Sequence, residues 1–162
     1  MLSRVADSLY WMSRYLERAE HTARLIDVDL QLTLEHSPES ASERWLRLFR
    51  ALQVPAPIAE KTQSSTLAYN LTLERTNPSS IVSCISAARE NLRQVREQCS
   101  SEMWEQLNRL YLQVVSTPTA ESWLQHSQLF FRSVQDGAHL FHGVTDSTMI
   151  HGEGWYHIQL GR

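Results

Sequence analysis

Asp7, Tyr10, Arg14, Glu17, Arg18 and His21 recur at three- and four-residue steps. At about 100° of rotation per residue, such steps gather side chains on one face of a helix. Arg14 can pair with Glu17 at i, i+3 and Glu17 with His21 at i, i+4, whereas Arg14 and Arg18 are like charges one turn apart. One of the two arginines therefore needs a further anion. Tyr10, Trp11 and Tyr15 flank the stripe with aromatic bulk, which predicts guanidiniums partly shielded from water. A shielded guanidinium must have its donors satisfied, either by a carboxylate from a neighbouring helix such as Glu90 or by a bound anion. An internal ion-pair network or a plainly solvated face is the competing reading. Asp7, Tyr10, Trp11, Arg14, Glu17, Arg18 and His21 are thus the candidate residues for binding a ligand or partner.

Histidines concentrate late, with His139, His142, His151 and His157 making four of the seven. On a continuous helix His139, His142 and Asp146 lie within roughly 60° of one another. They would offer two imidazoles and a carboxylate to a divalent metal, the one cofactor the residues suggest. The pattern has low specificity: two histidines at i, i+3 arise by chance, no Glu completes a His-Glu-x-x-His motif, and Gly143 and Thr145 weaken the helix. In the plainer reading His139 and His142 pack or make ordinary hydrogen bonds and Asp146 caps the next segment. His151, beside Gly152 and Glu153, could act as an acid or base only within a substrate cleft. A glycine-rich phosphate loop, a dinucleotide fingerprint and a Gly-x-Ser-x-Gly turn are all absent from the sequence. Cys84 and Cys99 are too few for a disulfide scaffold and match no zinc spacing alone, so both read as structural thiols. Arg89, Arg93 and Arg96, interleaved with Glu90 and Glu97, read as a solvated basic edge.

The elements that position these residues are helices. The chain has 162 residues, 42% of them hydrophobic, and only five Gly and five Pro, which suits one domain and argues against a turn-rich sandwich. A Pro- and Gly-free stretch to about Leu34 carries Leu2, Val5, Leu9, Met12, Leu16, Ala19, Ala23, Ile26 and Leu30 at helical spacing. Pro38 breaks it, and Ser40 with Glu43 forms a capping box for a short helix bearing Trp45, Leu46, Phe49 and Leu52. Further helices are predicted around Ser65 to Glu74, from a Ser79 or Ser80 cap to about Gln98, and from a Ser100 or Ser101 cap through Val114. A long one opens at Pro118, carries Trp123, Leu124, Phe130 and Phe131 and bends near Gly137, and a last one starts near Gly152. The architecture predicted is an all-α, antiparallel bundle of about six to eight helices. A net charge of −3 gives no general attraction to nucleic acid or anionic lipid. With no apolar run of membrane length and no signal-peptide pattern, a cytoplasmic location follows as the expectation.

The run from Met1 to Glu20, ending Arg14-Tyr15-Leu16-Glu17-Arg18-Ala19-Glu20, resembles the signature of the bacterial alpha-E domain family, named for a Glu-Arg motif that Glu17 and Arg18 match. The resemblance extends through Asn77-Pro78-Ser79-Ser80-Ile81, Ala87-Ala88-Arg89-Glu90-Asn91, Ser101-Glu102-Met103-Trp104-Glu105, Asn108-Arg109-Leu110-Tyr111, Gly143-Val144-Thr145-Asp146 and Glu153-Gly154-Trp155. Family members usually continue past the position of Arg162, so the resemblance implies an N-terminal portion. Leu160-Gly161-Arg162 can be laid over Met12-Ser13-Arg14, which makes residues from about 152 to 162 the start of a second Glu-Arg repeat and residues 1–162 half of an internally repeated helical domain.

The resemblance also implies company: circularly permuted ATP-grasp proteins, to which the domain is sometimes fused, and transglutaminase-like proteins encoded nearby. The expected function is an accessory or interaction module of a peptide-ligation or peptide-modification system, holding a partner segment or anionic substrate on the Arg/Glu stripe. One alternative is an enzyme of that system with a site between the two repeats, using a metal at His139, His142 and Asp146. Another is a structural homo-oligomer joined through apolar surface near Trp155, Ile158 and Leu160.

Overall fold

The computed structural model describes residues 1–33, 38–55, 64–117 and 127–162. Among these residues seven α-helices follow one another: α1 (Ser3–Thr33), α2 (Pro38–Ala51), α3 (Ser64–Thr72), α4 (Ile81–Gln94), α5 (Ser101–Val115), α6 (Ser127–Thr148) and α7 (Glu153–Gly161). A 3-10 turn over Arg96–Gln98 links α4 to α5, and no strand occurs among the described residues. The predicted all-α bundle is what the chain forms.

Helix α1 is its axis. The row Leu9, Met12, Leu16, Ala19, Ala23 and Ile26 is fully buried, and α4, α6 and α7 all pack along it, with α2 and α3 at its far end. Burial on several sides takes polar residues inside as well, among them Ser8, Ser13, Glu20, Thr22 and Asp29. Asp29 meets Arg44 of α2 at 3.6 Å. Burial raises the Asp29 pKa, and the Arg44 and Arg47 charges oppose that rise.

Side-chain caps set two of the starts. The Ser80 hydroxyl accepts from the Ser83 amide, and the Ser100 hydroxyl accepts from the Met103 amide, each satisfying a donor that the first helical turn leaves free. Three expectations need correction. Helix α2 begins at Pro38 itself, where a fixed φ and a missing N–H suit the first helical position, so Ser40 and Glu43 lie within the helix rather than forming its capping box. Helix α4 stops at Gln94, before the predicted Gln98, because the chain tightens through Val95 into the 3-10 turn. Helix α6 runs unbroken through Gly137. A Cβ there would stand 2.7 Å from Leu110 Cδ1, so this glycine serves close approach of α5 and α6, and the Gln106 amide donates to the Gly137 carbonyl at 3.2 Å. Pro57, Pro118, Trp123 and Leu124 lie outside the described residues.

Helix α7 returns to α1. Glu153 receives the Met1 ammonium at 2.8 Å, and Gly161 lies so close that a Cβ on it would stand 2.4 Å from the Tyr10 carbonyl oxygen and 2.8 Å from Ser13 Cβ. Met1 faces Glu153 and Ser13 faces Gly161, so the two helices run in the same sense. The sequence overlay matches Gly161 with Ser13, and those two positions meet at this crossing. Leu160 is 71% exposed, but Ile158 is fully buried and Trp155 half-buried, so the apolar surface expected near all three reduces mainly to Leu160 and the exposed Tyr156.

Two predictions follow from the packing. Gly161→Ala should cost about 1–3 kcal/mol of stability in urea unfolding, because its Cβ meets backbone that cannot turn aside. Gly143→Ala, with no atom within 4 Å of the added carbon, should instead gain about 0.5–1 kcal/mol. For the thiols, burial pushes Cys84 up to about 11 and Cys99 up to about 12. The thiolate fraction of both near neutral pH is then well below that of a thiol at its ordinary value. Both cysteines should resist a thiol-labelling reagent at pH 8 in the native protein and react at once in denaturant.

Candidate functional site

The stripe predicted on α1 divides in the folded protein. Asp7, Trp11, Arg14 and Arg18 are exposed, and Tyr10 and Tyr15 are half-buried. Trp11 packs edge-on against Tyr10 at 5.2 Å and beside Tyr15 at 5.6 Å. Neither Arg14 nor Arg18 joins an ion pair among the described residues, and Glu90 is taken by Arg93 of its own helix, two hydrogen bonds holding its carboxyl down to about 2. The expected shielding of the guanidiniums is therefore absent: α4, α6 and α7 cover the apolar row and its flanks, leaving positions 14 and 18 facing water.

Glu17 and His21 go the other way, into a cluster with residues of α6. Glu17 Oε2 lies 3.1 Å from His21 Nε2, and Glu17 Oε1 lies 3.2 Å from His142 Nε2. Glu20 stands 3.5 Å from the same His21 nitrogen and 3.5 Å from His139 Nε2, and it accepts a hydrogen bond from Arg24. Arg24 also approaches His139 Nε2 at 3.4 Å. The Glu20 and Glu17 side chains are only 5% and 16% exposed, whereas the His21 and His139 rings reach solvent. The contacts Glu20–His139 and Glu17–His142 step in opposite directions along the two helices, so α1 and α6 are antiparallel at this point.

His142 is the innermost member. Burial pushes its pKa down to about 4, with the Arg162 and His139 charges acting the same way and Asp146 against them. Its side chain is 8% exposed, and neither ring nitrogen has a hydrogen-bond partner. The short separation from Glu17 therefore lacks the alignment of a hydrogen bond.

The predicted metal trio is split. His139 and His142 turn towards α1, but Asp146 turns towards α7, where it accepts from Trp155 Nε1 at 3.2 Å and Gln159 Nε2 at 3.1 Å and meets Arg162 at 3.4 Å. It secures α7 to α6 instead of completing a ligand set. His151 stacks on Trp155 at 4.4 Å with its Nε2 3.3 Å from the Asp146 carbonyl. The basic edge of α4 is also reassigned in part: Arg89 donates to Asn108 Oδ1 at 2.7 Å and lies over Trp104 and Tyr111, a satisfied and partly desolvated position. Glu20 and Arg24 were missed by sequence reasoning. The available signal was a carboxylate set within the apolar row, between Ala19 and Ala23, where an unpaired charge would be costly.

One helical turn from the cluster on both helices lies a cleft of about 430 Å³, lined by Asp27, Gln31, Gln128, Leu129, Arg132, Gln135 and Asp136. Asp27 follows Arg24 by three residues, and Asp136 precedes His139 by three, so cleft and cluster share the α1–α6 seam. Side-chain amides, carboxylates and a guanidinium at its wall provide both donors and acceptors.

Among the described residues no helix is long and apolar enough to cross a membrane. No solved structure matches the chain. It is similar to an uncharacterized protein of Mycobacterium bovis and to uncharacterized proteins of two Mycobacterium tuberculosis strains, each 24% identical over 179 residues. Those matches cover 98% of this chain but 20% of each relative, so the chain spans about a fifth of their length. The family model described as a predicted alpha-helical domain with a conserved ER motif matches residues 1–162, and the chain belongs to this Alpha-E family.

Proposed function

We propose that this chain is a helical accessory module of a peptide-ligation or peptide-modification system, acting beside an ATP-grasp-type ligase with a transglutaminase-like protein as a further partner. Its working site in this reading is the α1–α6 seam rather than the arginine stripe, since Arg14 and Arg18 stand in water. The observation that carries the reading is a cleft with three glutamine amides in its wall, one helical turn along the α1–α6 seam from a largely buried pair of carboxylates. Gln31, Gln128 and Gln135 match the alternating donors and acceptors of an extended peptide backbone. One turn further along the seam, Glu17 and Glu20 attract an ammonium group, and the exposed imidazoles of His21 and His139 beside them can take its proton. An amine must lose that proton before it attacks an activated carboxyl group, so a module that binds and deprotonates the amine would complement a ligase that activates the acid. The resemblance to families that accompany ATP-grasp proteins supports the partner.

Co-expression with an ATP-grasp protein from the same genome, followed by size-exclusion chromatography and a peptide-amine ligation assay, tests the reading. A stable complex is expected. Glu20→Gln should leave that complex intact while lowering ligation about a hundredfold. Failure of the two proteins to associate, together with no peptide binding at millimolar concentration, would overturn it.

A further inference from the structure

The cluster between α1 and α6 has the composition and spacing of a metal centre, and we infer that it binds one divalent first-row transition ion through Glu17, Glu20, His21 and His142, with zinc the reference case. Glu17, Glu20 and His21 are also the groups that the proposed function gives to an amine, so ion and amine compete for them, but the ion's binding is measured with neither peptide nor ligase present and its failure is distinguishable from failure of that reading. Three donors come from successive positions of one helical face: ligand atoms of Glu17, Glu20 and His21 all lie within 4.8 Å of one another. The fourth, His142 of α6, stands outside that group and reaches it through Glu17.

Distances between donors carry the argument. Ligands bound at about 2.0–2.1 Å in a tetrahedron are separated from each other by about 3.3–3.4 Å. His21 Nε2 stands 3.1 Å from Glu17 Oε2 and 3.5 Å from Glu20 Oε2, and His142 Nε2 stands 3.2 Å from the other Glu17 oxygen, Oε1, so Glu17 is the ligand that both imidazoles share. An ordinary ion-pair network accounts for the His21 contacts but not for His142. That ring is more than nine-tenths buried, points at a carboxylate oxygen and makes no hydrogen bond through either nitrogen. A cation lying between the two acceptors satisfies both at once.

Imidazole and carboxylate with no thiolate select a borderline ion such as zinc, ferrous iron or cobalt over a soft one. Arg24 on Glu20 supplies the outer hydrogen bond that orients a ligating carboxylate. Arg24 sets one permanent positive charge against the two carboxylates. The half-exposed rings of His21 and His139 provide the entry side, with His139 next to the outer oxygen of Glu20.

The test is metal binding by the 162-residue chain after treatment with a chelator. Titration with cobalt(II) should saturate at one ion per chain, giving visible d–d bands of a four- or five-coordinate nitrogen and oxygen site, and zinc should displace the cobalt and raise the melting temperature. Glu17→Gln and His142→Gln should weaken binding by at least about tenfold. Because His142 is buried, His21→Ala serves as the second variant: its ring is largely exposed, so the helix should fold normally while the affinity falls. His151→Ala, on the far side of Asp146, should bind as the unaltered chain does. Absence of saturable binding, or binding that Glu17→Gln and His21→Ala both leave unchanged, would overturn the assignment.

Discussion

A carboxylate taken out of water must meet a proton, a donor or a cation, and α1 carries two of them, Glu17 and Glu20, on the flank that α6 covers. That requirement fixes the relation between the two helices. Glu17 and Glu20 are three residues apart, a rise of about 4.5 Å along α1, and His139 and His142 have the same spacing on α6. Antiparallel packing therefore places Glu20 opposite His139 and Glu17 opposite His142 in one register. A slip of one residue would separate both pairs and strand the acids in a dry interface. Apolar rows tolerate small slides because one methyl group replaces another, whereas this polar ladder does not.

The other half of α6 performs a different task with the same economy of spacing. Asp146 follows His142 by four residues yet faces α7, taking donors from Trp155, Gln159 and Arg162. Helix α7 is thereby held from one side while Gly161 allows it to press on the backbone of α1 from the other. The Met1 ammonium on Glu153 closes the same junction at its start. Small residues at the crossing, with charged contacts around it, let a helix as short as α7 dock firmly, where apolar burial alone would provide little area.

Much of the fold was legible because its signals are local. Apolar periodicity located the seven described helices, and two of their caps were narrowed to a pair of adjacent serines each, Ser79 or Ser80 and Ser100 or Ser101, of which Ser80 and Ser100 do the capping. Pro38 was misread since proline both breaks a helix and begins one, and only the neighbouring chain decides between the two. The site was harder. Amphipathic reading could say that Arg14 and Arg18 share a face but not that the face lacks a covering helix. It placed His139 and His142 together correctly, then joined them to Asp146 on their own helix, because a partner more than a hundred residues away leaves no trace in spacing. Glu20 was hidden for the opposite reason, as it sits in a row otherwise read as core.

The Glu-Arg pair also looks different once its surroundings are known. Adjacent helical residues diverge by about 100°, so Glu17 and Arg18 cannot address the same partner. Glu17 turns to the His142 imidazole of α6, whereas Arg18 faces water, its charge felt by the buried Cys84 of α4 only as a pull against the rise in that thiol's pKa. A motif of two neighbouring charges on a central helix thus serves two surfaces, one sealed by the bundle and one open. The sealed half has its geometry determined by α6. The open half, with Trp11 and Arg14 beside it on the same exposed side of α1, is free to meet whatever packs against the outside of that helix, and changes there need not disturb the carboxylates within.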